Sequence, residues 1–248
     1  MKNIPRSYKT RLLWLLLFFS VPQAIFAQPW QVLSDGLSYR PFHPKSLSPF
    51  ATLHVFDIDP QKYRLTYCAN QTKQLTTAQQ AAIDNQAVLA FNGAFFSTDN
   101  QPLGLRVQQG KILSKYKPIS WWGIFYINNR QAFIQSSKNF HFNKQIDFAV
   151  QAGPRLLIDG KIPKLKPGVA NRTAIGLSKQ GHLLVVITKH AAISTHFLAT
   201  FFSKQLNSEQ AINLDGGSSS QFFANIKDFK PHVSGYTAIP DPICVFAL

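Results

Sequence analysis

Acid is what this sequence has least of. Against 26 Lys and Arg it carries 11 acidic residues, all aspartate except Glu209, and its formal charge is +15. An ordinary glycosidase built on two carboxylates, or a calcium site built on several, draws on residues that are scarce here. Cysteine is scarcer still, with Cys68 and Cys244 far apart and no local pair of the zinc-binding kind. The seven histidines show neither an i,i+4 pair nor an HExxH arrangement, so no metal site is expected. A GxSxG elbow is missing, as is the Gly-Lys-Ser/Thr ending of a phosphate-binding loop. Despite the positive charge there is no Lys/Arg stripe and no common nucleic-acid signature, which argues against a nucleic-acid partner. Past the N-terminus no apolar run is long enough to cross a bilayer, so no stable membrane span is expected. Nothing in the sequence sets an oligomeric state.

The apolar run that does exist lies at residues 12–21. It follows Lys2, Arg6, Lys9 and Arg11 and precedes Pro22 and the small-residue exit ending at Ala27. That order is expected of a secretory signal peptide over residues 1–27, with a single domain over 28–248 and a periplasmic or secreted destination. Cleavage there would lower the formal charge from +15 to +11, which still favours anionic partners such as phosphorylated glycans or anionic lipid surfaces. In an oxidising compartment Cys68 and Cys244 could pair, or each could stay a small buried hydrophobe in its apolar strand.

Alternation and turn residues predict strands over 51–58 and 63–68, read as a hairpin around Asp59-Pro60. Further strands are expected at 87–91, 103–107, 121–127, 132–135, 148–151, 155–158 and 243–247. Residues 172–177 and 183–188 form a second hairpin. Helices are expected over 76–86 and 194–206, each opened by Ser or Thr caps. Many strands, few helices and no regular βα alternation indicate an α+β single domain with a mostly antiparallel or mixed sheet core. Trp121 and Trp122 alternate across a strand, so one is expected inside and the other free to stack on a sugar ring.

Four segments share one design, an apolar strand ending in polar or glycine residues. They are Phe91-Asn92-Gly93-Ala94-Phe95-Phe96, Gln151-Ala152-Gly153-Pro154-Arg155, Asn171-Arg172-Thr173, and the run from Ala211 to Phe223. In the last, Asn213 and Asp215 project from one face of an extended strand. Gly216 and Gly217 then let the backbone turn close to a ligand, and Ser218, Ser219 and Ser220 offer hydroxyls. Asp215 is the only acid set among convergent polar groups. Others sit at turn-like positions, such as Asp159 before Gly160 and Asp241 before Pro242.

In order and spacing these segments resemble the phosphodiester glycosidase family over roughly residues 50–248. The matching positions are Asn92, Gly93, Phe95, Phe96, Gly104, Gly153, Pro154, Arg172, Thr173, Asn213, Asp215, Gly216, Gly217, Ser218 and Ser219. Ala94 and Ser218 stand where relatives carry glycine. The resemblance implies cleavage of a sugar–phosphate diester at the anomeric carbon, with a sugar-phosphate or anionic glycan as substrate and no cofactor. A phosphate monoester leaves as a stable anion, so one carboxylate suffices if charge is stabilised. Asp215 is therefore expected as base or nucleophile, Asn92 and Asn213 as groups orienting sugar hydroxyls or water, and Arg172 as the phosphate clamp. Thr173, Gly93, Gly153 and the 216–219 loop complete the expected binding site. The alternatives are a non-catalytic envelope protein that binds anionic glycans and a serine-dependent acyl-transfer or peptidoglycan enzyme.

Overall fold

The computed structural model describes residues 28–68 and 75–248. The segment expected to direct export lies outside the described residues. The strand Leu183–Lys189 shows how the fold is built. Its neighbours in the sheet are Thr52–Ile58 and Thr173–Leu177, both antiparallel to it. Side chains alternate across the sheet: Leu183, Val185 and Ile187 enter one core, and Leu184 and Val186 enter another. Burial on both faces is why this strand reads as an unbroken apolar run. The complete sheet has seven strands, in the spatial order Gln31–Ser34, Leu37–Phe42, Thr52–Ile58, Leu183–Lys189, Thr173–Leu177, Gln210–Asn213 and Arg155–Leu157.

One face of this sheet is covered by helix Thr195–Gln205. Ser194 caps it by accepting a hydrogen bond from Phe197 N at 3.0 Å, and the stripe Leu198, Ala199, Phe201 and Phe202 points inward. Phe202 packs against Gly176, where a β-carbon would approach a ring carbon at 2.5 Å. Full burial of such a ring stabilises by about 1.5–3 kcal/mol, so Gly176→Ala would forfeit much of it. The other face meets two five-stranded sheets across the main core. The first runs Lys111–Ser114, Arg106–Gln108, Ile146–Ala152, Gly123–Asn128, Gln131–Ser136; the second runs His232–Val233, Phe222–Ala224, Leu89–Phe91, Ile243–Ala247, Tyr63–Tyr67.

The short helix Ala78–Asp84 is capped by Thr77 and packs its alanines against Ala87, Ala90 and the disulfide Cys68–Cys244. The cysteines are thus paired and buried together. One expected hairpin is absent. Residues 59–62 do turn, but Thr52–Ile58 pairs with Leu37–Phe42 and Leu183–Lys189, whereas Tyr63–Tyr67 pairs with Ile243–Ala247. Both edges of Thr52–Ile58 are thus already paired, so the chain after the turn joins another sheet. The hairpin at Thr173–Leu177 and Leu183–Lys189 forms as its sequence indicates. No helix among the described residues is long and apolar enough to cross a membrane.

Candidate active site

The strand Gln210–Asn213 carries the most informative motif. It ends between Thr173–Leu177 and Arg155–Leu157. Leu214 stays buried and donates its N–H to Thr173 O at 2.8 Å, which leaves Asp215 at the sheet margin. Gly216 then runs so close to the neighbouring chain that a β-carbon would lie 2.6 Å from Asn171 O. Gly217 takes φ +62° and donates to the same carbonyl at 2.8 Å. That left-handed geometry favours glycine. A single 3-10 turn, Gly217–Ser219, follows. The Asp215 loop therefore lies directly on the backbone of Asn171 and Arg172.

Asn92 joins this loop from another sheet. Its Oδ1 accepts from Thr173 Oγ1 at 2.7 Å and from Gln221 N at 3.1 Å. Its Nδ2 donates to the carbonyls of Asp215 at 2.9 Å and Gly93 at 3.1 Å. Those four bonds fill the capacity of a buried amide. Asn92, expected to orient sugar hydroxyls or water, instead clamps together the strands that hold Asp215. Thr173 is fully buried and supports the clamp, so it too acts from behind the site. Asn213 differs: Nδ2 donates to Leu214 O at 2.5 Å and Gly153 O at 3.4 Å, and its buried Oδ1 has no partner among the described residues.

The sequence reading missed an ion pair. Arg106 is 1% exposed, and its Nε donates to Asp241 Oδ2 at 2.7 Å. Its remaining N–H groups donate to the carbonyls of Phe95, Leu103, Leu105 and Gln151. Asp241, read as a turn residue before Pro242, is buried. A β-carbon on Gly93 would collide with its carbonyl oxygen, so this glycine is required for the approach. Burial pushes the Asp241 carboxyl up; Arg106 opposes the shift and the Asp215 charge adds to it. Burial likewise raises the Asp215 carboxyl, opposed by the Ser219 side chain, by the hydrogen bond from Gly216 N at 2.9 Å and by the Arg106 charge. Asp215, Arg106 and Asp241 thus form one electrostatic unit, and Asp241 Oδ1 is left without a partner among the described residues. An arginine inside the apolar run Leu105-Arg106-Val107 was the available signal, since such a charge must be compensated.

Arg172, expected opposite Asp215, is adjacent in backbone but turned elsewhere. Its Nε donates to Ile193 O at 3.0 Å and Nη2 to Gly168 O at 2.9 Å. Half-buried, it has its pKa lowered by desolvation, and no carboxylate pairs with it among the described residues. Gly153 approaches the Trp122 ring so closely that a β-carbon would collide with it. Trp122 packs against Phe95 and Trp121, and its buried indole Nε1 also lacks a partner among the described residues. Trp121 is exposed and Trp122 buried, as expected, although both lie before the strand Gly123–Asn128 and not in it. Ser218 is exposed, Ser219 and Ser220 are buried, and no histidine bonds to any of the three among the described residues. No cluster of three His, Cys, Asp or Glu that could hold a metal ion occurs among the described residues.

Two cavities, of about 500 and 440 Å3, lie away from Asp215. The first contains Arg40 and the Asp57–His182 pair, at 2.7 Å. We place the site at Asp215 rather than in either cavity, because orphaned polar atoms and coupled charges gather there.

The sequence profile of the phosphodiester glycosidase family matches residues 85–246, which span every site residue named above. The Escherichia coli (strain K12) protein called uncharacterized protein YigE is 27% identical over 186 residues, covering 68% of this chain and 73% of its own. Among solved structures, the fold is similar to the catalytic domain of zebrafish N-acetylglucosamine-1-phosphodiester alpha-N-acetylglucosaminidase, auto-inhibited by its pro-peptide. The TM-score is 0.66 at 17% identity, with 85% of this chain and 82% of that chain covered. A hypothetical protein from Synechocystis is similar with a TM-score of 0.58 at 16% identity, covering 90% of this chain and 64% of the other.

Proposed function

The chain belongs to the phosphodiester glycosidase family, and from that membership we propose that it hydrolyses a glycosyl-1-phosphodiester at the anomeric carbon, releasing free sugar. The observation that carries this reading is the placing of Asp215 at the head of the glycine loop, where Asn92 Nδ2 holds its carbonyl at 2.9 Å and Gly216 N donates to its carboxylate at 2.9 Å. Burial raises the Asp215 carboxyl while Arg106, Ser219 and Gly216 N keep its anion accessible, which suits a base or nucleophile. In the reaction the bond from the anomeric carbon to the phosphate oxygen breaks, and the phosphate monoester departs with the electron pair. Water supplies the new oxygen, and Asp215 takes its proton or first attacks the carbon itself.

Arg106 and Asp241 are positioning residues, for both act through Asp215. Asn92 and Thr173 hold the loop. The Arg172 backbone lies beside Gly216, and its guanidinium, now on the carbonyls of Ile193 and Gly168, would turn toward the loop to meet the charge of the leaving phosphate. The substrate lies outside the cytoplasm in this reading, consistent with the N-terminal segment and with the disulfide.

The test is a turnover assay of the purified protein on sugar-1-phosphodiesters and on plain glycosides. Release of sugar from the phosphodiesters, lost in Asp215→Asn with the fold retained, is the expected result. Turnover of glycosides alone, or undiminished activity in Asp215→Asn, would reject it.

A further inference from the structure

Residues 111–121, Lys-Ile-Leu-Ser-Lys-Tyr-Lys-Pro-Ile-Ser-Trp, carry the exposed apolar side chains Ile112, Leu113, Tyr116 and Trp121 on and just after an edge strand of the first five-stranded sheet. They begin on the edge strand Lys111–Ser114, where Ile112 is 51% and Leu113 56% exposed. Adjacent exposed aliphatics on a sheet edge are an association hazard unless something covers them. Tyr116 and Trp121 are exposed beyond them. Behind the strand a cavity of about 440 Å3 is lined by Ile112, Tyr116, Phe140 and Phe142 together with Lys115 and Lys138.

Charge identifies the occupant. Lys111, Lys115, Lys117, Lys138 and Lys144 are all exposed, and none forms an ion pair among the described residues. Lys144 belongs to the patch, because its carbonyl abuts Gly110 at the tip of the 106–114 hairpin. Asp147 is the only acid in segments 105–117 and 137–148. Aliphatic side chains, amphipathic aromatics and unpaired lysines on one rim are the combination that inserts shallowly at an anionic lipid interface. A protein partner of acidic surface would satisfy the lysines but not Ile112 and Leu113.

We propose that residues 111–121, with Lys138, Phe142 and Lys144, dock this protein onto the surface of an anionic phospholipid bilayer. The patch is mechanically tied to the catalytic side. Gln151 accepts from Leu105 N and Lys117 N, donates to Lys117 O and Ser137 Oγ, and leads two residues later to Gly153. Docking therefore fixes the orientation of the candidate site relative to the lipid, independently of which substrate that site takes.

Vesicle co-sedimentation of the full chain tests this, with mixed phosphatidylcholine and phosphatidylglycerol against phosphatidylcholine alone. Binding is expected to the mixed vesicles and to weaken with salt. Replacing Ile112 and Leu113 by Ser should lower binding about ten-fold or more. Replacing Lys111, Lys115 and Lys117 by Gln should lower it about five-fold per lysine and remove most salt dependence. All variants keep the N-terminal segment, so any contribution from it is common to every sample. Equal binding by the wild type and both variants, or none to mixed vesicles, overturns the proposal. So does a concentration-dependent dimer that Leu113→Ser dissolves without vesicle binding, which would make this edge an interface between copies. Neither variant touches the site at Asp215, so hydrolysis of a soluble substrate should persist in both.

Discussion

Arg106 and Arg172 are held by different physics. Arg106 is sealed inside, with its charge met by Asp241 and its other donors by backbone carbonyls. Arg172 is half-exposed and tied only to the carbonyls of Ile193 and Gly168. A buried cation needs a resident anion, because desolvation alone would cost several kcal/mol. A half-exposed cation does not, and it is left able to receive an anion from outside. Arg106 therefore serves the protein's own carboxylates, and a ligand role for Arg172 is part of the proposed function.

Four measurements bear on that division. Asp215→Asn should lower kcat on a glycosyl-1-phosphodiester by about 10²–10⁴-fold, since it removes the charge that Arg106 supports. Retained activity would leave Arg106 with no functional anion to serve. Asp241→Asn should cost about 3–5 kcal/mol in denaturant unfolding, because Arg106 would be buried without its counter-ion. Adding Arg106→Met to that variant should recover much of the loss, and failure to recover would show that the pair is not the cause. Arg172→Gln should leave stability nearly unchanged but lower kcat/KM by about ten- to a hundred-fold on phosphodiesters. An equal loss on an uncharged glycoside would contradict a phosphate role.

The smallest effect concerns pH. The folded-state pKa of Asp215 is raised above its unfolded value, chiefly by burial. Its contribution to stability is therefore present at low pH and is lost as pH rises from the ordinary carboxylate range through the raised pKa. Asp215→Asn should remove that slope, so that the variant is slightly more stable than wild type at neutral pH. If Asp215 acts ionised, the acid limb of kcat/KM should lie above the usual carboxylate range. Ser219→Ala should move it higher still, because a side chain that favours the anion is lost.

Much of the local structure was legible. Ser194 and Thr77 stand as the caps that their positions suggest, and Asp159-Gly160 forms the expected tight turn. The glycine loop after Asp215 was legible too, because close approach and a positive φ leave few residue choices. The resemblance to a family brought Asn92, Thr173 and Asp215 together, and they do meet, with Asn92 and Thr173 as a clamp on the loop that carries Asp215. Arg106 and Asp241 were not legible as a pair. They are 135 residues apart, and an aspartate before proline has the ordinary appearance of a turn.

From its sequence alone, this protein has determined where strands and helices begin, which faces are apolar, and where the backbone must bend beside a carboxylate. These are local matters, set by periods of two and 3.6 and by steric limits on each residue. Tertiary structure decided that Thr52–Ile58 and Tyr63–Tyr67 part into separate sheets, that Cys68 meets Cys244, and that Arg106 rather than Arg172 faces the site. Periodicity assigns a side chain to a face but not to a partner. A buried charge becomes tolerable only when its counter-charge arrives from a distant part of the chain.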